Sequence, residues 1–423
     1  MSAARPDRPP RTAPRGAEAT FLQQGMWVTE QTTGAGTAYH MPLLVHLRGD
    51  LDADALTAAC AAVVERHPVL GSVAAESGGG LRLVPGAPVP VRRGAGAGPI
   101  EGDPDDWPEA VREEVFAPFD VDGGPLARFT LYRTGPGRHT LAFVAHHLVF
   151  DGHSKDILVA DLAALYNGGR PAPPPALDHG RAERERVAAE IPAAREFWTG
   201  HWREPGETVV RGRALRSRRA AAGRTLRFRA HLAPVAGLTR FETLLAALHT
   251  LLAGYGNDDV TTAVDLSTRP AEAAGHVGVF VNELPVASRP GPEETFGGFA
   301  ARLRAGLREV YRFRRVPLSR ALPRLRPHAA LAPVSVSYRA RTLPDPVFAG
   351  LDCAVDRTVP NGSVRGALHL QCADDGPDGL AVALRHDPAE LPDARPVADD
   401  LRLLLERAGR DPGLRLRDLA APR

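Results

Sequence analysis

Residues 168–175 read GGRPAPPP, and no other stretch restricts the possible folds as strongly. Proline has a fixed φ and no amide hydrogen, so this segment can neither continue a helix nor sit in a central strand. The chain of 423 residues is therefore expected to divide here. The expected parts are an N-terminal half at 18–170, a proline-rich linker at 171–180, and a C-terminal half at 181–423. Residues 1–17 are basic and proline-rich and lack the apolar centre of a signal peptide, so a disordered leader is expected. Weaker breaks lie at Ser77–Gly80, Gly94–Pro99 and Arg289–Glu294. The glycines of GAGAGP (94–99) are not followed by a helix of apolar periodicity, which makes that stretch a surface loop and not a phosphate cradle.

Composition narrows the class. Hydrophobic residues at 43% and charged residues at 24% are ordinary for a globular chain, and no run approaches the roughly 20 apolar residues of a membrane helix. Lys+Arg 52 against Asp+Glu 50 gives a net charge of +2, so no overall field selects nucleic acid or an anionic membrane. A single lysine, Lys155, stands among the arginines. Three distant cysteines, Cys60, Cys353 and Cys372, supply neither a disulfide framework nor a zinc-ligand spacing. A reducing, cytoplasmic location is expected.

Local patterns in the first half are mixed. Asp52–Arg66 reads as a helix with Asp52 as N-cap and Leu56, Cys60, Val63 and Val64 on one face, stopped by Pro68. Leu126–Thr134 and His139–His147 read as two strands around a GPGR turn, and Asp156–Tyr166 as an amphipathic helix. Strand pair, loop and helix together indicate an α/β arrangement.

The sharpest chemical feature follows the second strand: His146–Gly152 reads HHLVFDG. Side chains alternate along a strand, so the two histidines are expected to face opposite ways, one into a cavity and one into the fold. An imidazole titrates near neutral pH and suits general-base work. Adjacent strand histidines diverge too far to chelate one ion, and no G-x-S-x-G elbow supports a serine hydrolase. Ser154 is placed to cap the helix that follows.

HHLVFDG resembles the HHxxxDG motif of the condensation domains of nonribosomal peptide synthetases, a superfamily related to chloramphenicol acetyltransferase. Further landmarks occur in the family's order. TFLQQGMW (20–27) resembles its opening pattern at Gln23 and Trp27. RHPVL (66–70), FDVDGGPLAR (119–128), VGVFVN (277–282) and GLAVALRHDPAEL (379–391) resemble later ones. The resemblance implies two chloramphenicol-acetyltransferase-like α/β lobes in a V-shaped pseudo-dimer, with the active site at their junction and a floor loop or latch of the C-terminal lobe (181–423) crossing to the N-terminal lobe. It implies His147 as the catalytic histidine, Gly152 as the turn residue beside the reacting centre, His146 as structural, and Asp151 as an ion-pair residue that shapes the loop. The sequence departs from the family pattern at Gly25, Glu283 and Ala287, with Arg289 displaced by two, and at Ala367. Ala287 removes the expected arginine partner of Asp151 and leaves Arg289 in its place.

The expected function is that of a free-standing, monomeric condensation enzyme. It would join a carrier-protein-tethered acyl or aminoacyl thioester to an amine or hydroxyl, forming an amide or ester in specialised metabolism. The acceptor would be a small molecule or be held on a second carrier protein. The phosphopantetheine would arrive on the partner, and no bound cofactor or metal is implied. Rival readings are a polyketide-ester type O-acyltransferase, an epimerisation-type domain (for which Glu283 is a poor second acid/base), and a non-catalytic recruitment module. The arginine clusters at 211–219 and 302–315 read as solvated faces or, alternatively, as docking sites for an acidic carrier protein. Phe197, Trp198 and Trp202 read as core packing.

Overall fold

The computed structural model describes residues 16–33, 36–77, 80–100, 102, 104–325, 329–341 and 345–419. Residues 1–15 of the expected leader lie outside the described residues. Ala17–Glu18 forms a short strand paired with Gly80–Pro85, so the last residue of the stretch read as leader, Ala17, belongs to a strand.

The local signals of the first half produce the elements they predict. Asp52 Oδ1 accepts from the amides of Asp54 and Ala55 at 3.0 and 2.9 Å, opening the helix Ala53–Arg66. Its inward face buries Leu56, Ala59, Cys60 and Val63. Strands Ala127–Gly135 and Arg138–His146 form a hairpin whose turn places Gly137 at φ 59°, a conformation that costs glycine little. The next helix, Ser154–Tyr166, opens differently from expectation. Its first-turn amide, Ser154 N, donates to Asp151 Oδ1 at 2.7 Å, so Asp151 does the capping. The Ser154 hydroxyl is committed to Asp151 and to Gly278 instead.

Two sheets organise the molecule. The first has five strands in the order Leu351–Asp356, His40–Gly49, Arg138–His146, Ala127–Gly135, Val91–Arg93. Its outermost strand comes from late in the sequence and pairs antiparallel with His40–Gly49. The second sheet has six strands in the order Arg224–His231, Gly379–His386, Leu368–Asp374, Val334–Arg339, Val260–Ser267, Val281–Ser288. Each sheet has its own apolar core. Phe129, Phe143 and Phe150 anchor the first, and Phe296, Phe299 and the helix Arg240–Gly254 anchor the second. Residues 169–178 carry no helix or strand and lead into the helix His179–His201. Trp198 of that helix is 2% exposed in the second core, with Phe197 and Trp202 packed against it.

Several arginines of the two clusters are held by neighbouring carboxylates. Arg211 pairs with Asp400 at 3.0 Å, Arg216 with Glu207 at 2.5 Å, Arg302 with Glu294 at 2.7 Å and Arg315 with Glu190 at 3.0 Å. These pairs stabilise local geometry. Among the described residues no helix is long and apolar enough to cross a membrane.

Candidate active site

The strand Arg138–His146 ends where the histidines begin, and the two side chains go separate ways. His146 is fully buried. The Leu148 amide donates to its Nδ1 at 3.1 Å, which leaves Nε2 as the protonated nitrogen, donating to Glu30 Oε1 at 3.0 Å. His147 has the other tautomer. Its Nδ1 lies 2.7 Å from the Phe150 carbonyl oxygen, which can only accept, so Nδ1 carries the proton and Nε2 keeps its lone pair. Tyr39 stands edge-on to both rings, at centroid distances of 5.9 and 6.3 Å.

His147 lines a cavity of about 340 Å³ where the two sheets meet, together with Asp151, Gly152, Lys155, Asp265, Arg339, Arg365, His369 and Arg385. A larger groove of about 790 Å³ runs past Arg224–Leu226 and Pro392–Arg395, away from either motif histidine. Burial, and next the Arg365 charge, hold His147 down to about 4. It is therefore the neutral imidazole at physiological pH, with a basic nitrogen available. A Cβ built on Gly152 would meet no atom within 4 Å, so the backbone there borders open space.

Asp151 is 3% exposed and fully engaged. Besides Ser154, it accepts from Arg269 NH2 at 2.9 and 3.0 Å and from the Phe280 amide at 3.0 Å. Its arginine partner is Arg269, and the expectation of Arg289 is corrected. Arg289 lies on the exposed end of the second sheet, paired with Asp259. Arg269 also donates to the carbonyls of Ala273 and His276 and lies 4.0 Å over the Phe280 ring. One buried ion pair thus ties the HHLVFDG loop to the turn after Val260–Ser267 and to the start of Val281–Ser288, fixing one half of the molecule against the other.

Most of the remaining motif residues are braces for this arrangement. Gln23 Nε2 donates to the Leu148 carbonyl at 2.7 Å, and Trp27 Nε1 donates to Asp122 at 3.0 Å. Arg66 and His67 both reach Asp161 at 2.7 Å, fastening two helices behind the loop. Arg128 covers the Phe119 ring at 4.1 Å. Asn282 holds the carbonyls of Arg314 and Val316 at 2.9 and 3.1 Å.

Several residues of the site escape sequence reasoning. Arg269 falls in STRP (267–270), a strand-to-turn junction 118 positions from Asp151, and nothing local marks it as a partner. Arg365 stands in the RGAL segment, where Ala367 draws attention instead. It lies 3.6 Å from Asp265 and 3.7 Å from Glu283 and bonds the Tyr39 hydroxyl. Burial foremost, with Asp265 nearby and Arg365 opposing, lifts Glu283 to about 7. Lys155 could have been found as the single lysine set inside an apolar helix pattern.

Several buried histidines share the low-pKa condition of His147. Burial chiefly brings His40 and His179 to about 4 and His249 to about 3, and lowers His369 well below its usual value. The unfolded chain takes up these protons near pH ~6.5, before the folded chain does, so it binds more protons in the window between. Stability is expected to be full above pH ~6.5 and to fall as the pH drops from ~6.5 towards ~4. Thermal melts across this range check it; a melting temperature that rises on acidification would contradict the assignment.

Comparison with known proteins identifies the family and the fold. A family model for the condensation domain matches residues 15–333. Chondramide synthase cmdD of Chondromyces crocatus is 28% identical over 453 residues, covering 97% of this chain but 11% of that protein. The chain therefore spans a small fraction of the length of that relative. Among solved structures, it is similar to the first condensation domain of the calcium-dependent antibiotic synthetase. There the TM-score is 0.80 at 20% identity, with 96% of this chain and 99% of that one covered. It is also similar to the X-domain from teicoplanin biosynthesis, with a TM-score of 0.77 at 24% identity and coverage of 96% and 98%.

Proposed function

Because the chain belongs to the condensation-domain family, with its two-lobed chloramphenicol-acetyltransferase-like α/β fold, we propose that it joins an acyl or aminoacyl thioester to an amine, or to a hydroxyl, at His147. The thioester would be delivered on the phosphopantetheine of a carrier protein. The observation that carries this reading is the tautomer of His147: Nδ1–H is held by the Phe150 carbonyl, and a neutral Nε2 borders the cavity.

The reaction then runs as follows. The acceptor nitrogen adds to the thioester carbonyl while Nε2 takes one of its protons, forming the new C–N bond and a tetrahedral adduct. Collapse of the adduct breaks the C–S bond, and the departing sulfur takes the proton from the imidazolium. Amide and free thiol are the products, and His147 returns to its neutral form. The Phe150 carbonyl orients the ring and stabilises the transient cation. Asp151 plays no part in proton transfer in this scheme, because all its lone pairs are committed to Ser154, Arg269 and Phe280. It holds the loop on which His147 and Gly152 sit.

The test is incubation with acyl-loaded carrier protein and a panel of amines and alcohols, read by intact mass. Loss of the acyl group from the carrier together with a new amide or ester supports the reading. Hydrolysis alone, or α-carbon hydrogen exchange without transfer, overturns it in favour of a hydrolytic or epimerising role.

A further inference from the structure

The lining of the cavity carries more positive charge than the carboxylates paired with it balance. Of the cations lining it, Arg357 lies 2.7 Å from Asp156 and 2.6 Å from Asp345. Arg339 lies 3.6 Å from Asp156, and Arg365 sits between Asp265 and Glu283. Lys155 and Arg385 differ. Among the described residues neither has a carboxylate within ion-pair distance. Lys155 is 2% exposed, and among the described residues its ammonium donates only to the carbonyls of Pro42 and Arg357, both at 2.7 Å, which leaves its third N–H without an acceptor there. Arg385 donates to Gln371 Oε1 at 2.7 Å, Asn361 Oδ1 at 3.0 Å and the Val359 carbonyl at 3.4 Å, all uncharged. Its Nε–H is buried with no partner.

Such an arrangement is costly for a scaffold. A buried charge without a counter-charge destabilises the fold. Lys155 also stands in the first turn of the 13-residue helix Ser154–Tyr166, where the helix dipole favours anions and opposes a cation. Burial, followed by the charges of Arg339 and Arg385, pulls Lys155 well below the usual lysine range. Burial and Arg365 bring Arg385 to about 10. Everything missing from this lining would be supplied by an anion entering the cavity: counter-charge, acceptors for the spare N–H groups, and relief of the mutual repulsion.

We propose that Lys155 and Arg385 form a binding site for the carboxylate of a small acceptor, an amino or hydroxy acid that enters as the free acid and places its nucleophile at His147. This rests on the acyl-transfer reading for its role but not for its detection. A carboxylate is favoured over phosphate because both cations share one cavity of about 340 Å³ with His147. The phosphate of a pantetheine arm is separated from its thiol by the whole arm, so a phosphate held here would draw the thioester away from that histidine.

The experiment is calorimetric titration of the full chain, at matched ionic strength, with succinate, with its neutral diamide succinamide, and with inorganic phosphate. Saturable binding of succinate, none of succinamide, and weaker binding of phosphate are expected. Lys155→Gln and Arg385→Gln should each weaken succinate binding by about tenfold or more, as loss of a charge-assisted contact does. Equal binding of succinamide, tighter binding of phosphate, or undiminished binding by both variants would overturn the proposal. If the variants do not fold, the comparison of succinate with succinamide on the unaltered chain still decides it. No acyl transfer is needed, so a chain that binds succinate but forms no product refutes the proposed reaction without touching the anion site.

Discussion

Replacing His147 by alanine is expected to lower the single-turnover rate of acyl transfer about 10²–10⁴-fold, the usual worth of a positioned general base, while leaving the melting temperature close to that of the parent chain. The ring accepts no hydrogen bond from the protein in the geometry described. Its single side-chain bond is the one donated to the Phe150 carbonyl, and it borders a cavity into which water can follow. His146→Ala should do the reverse. It removes a fully buried ring, the acceptor of the Leu148 amide and the partner of Glu30. The expected result is a loss of stability typical of an orphaned buried group, about 1–3 kcal/mol, with activity per folded molecule affected less. The pH profile separates base chemistry from mere packing. With His147 held down to about 4, the parent enzyme's single-turnover rate with a hydroxyl acceptor, which does not itself titrate in this range, should show no inflection at the ordinary histidine pKa of ~6.5 between pH ~8 and ~6. A His147→Ala variant that kept near-parental single-turnover rates would remove the base from the mechanism.

Asp151→Asn is expected to cost about 3–5 kcal/mol of stability, the range for breaking one side of a buried ion pair. Set against a typical total of about 5–15 kcal/mol, that is enough to make much of the protein insoluble. The side chains of Asp151 and Arg269 are 4% and 8% exposed. An asparagine amide would turn an N–H group towards donors, namely the Phe280 amide or the Arg269 guanidinium, which the carboxylate now accepts. It would also leave Arg269 charged among carbonyls. Arg269→Gln should be similarly damaging. The double variant should lose less than the sum of the two, because residues in direct contact couple by about 0.5–3 kcal/mol. Denaturant melts measured beside activity per folded molecule decide the matter. An Asp151→Asn chain with parental stability and no turnover would move Asp151 from scaffold to chemistry.

The line between what the sequence determines and what tertiary structure decides falls at the reach of local interactions. The helix opened by Asp52, the hairpin turning at Gly137 and the placing of His147 beside a loop all depend on neighbours a few residues apart, where capping, φ preference and side-chain alternation act directly. Those are legible in the chain, and so is the separation of the two histidines. The cap of the helix Ser154–Tyr166 is misread even locally, because Ser154 and Asp151 both suit the position and Gly278, brought in by the loop before Val281–Ser288, engages the serine hydroxyl along with Asp151. The partner of Asp151 is not legible. Arg269 and Arg289 are equivalent on paper, and which one meets the carboxylate depends on where the turn after Val260–Ser267 is carried by its pairing with Val281–Ser288. The opposed tautomers of His146 and His147 likewise require the Leu148 amide and the Phe150 carbonyl to be in place. So does the uncompensated charge of Lys155 and Arg385: residues 230 positions apart in the chain become neighbours in one cavity only when both sheets are assembled, since charge balance is a property of a closed space and not of a sequence.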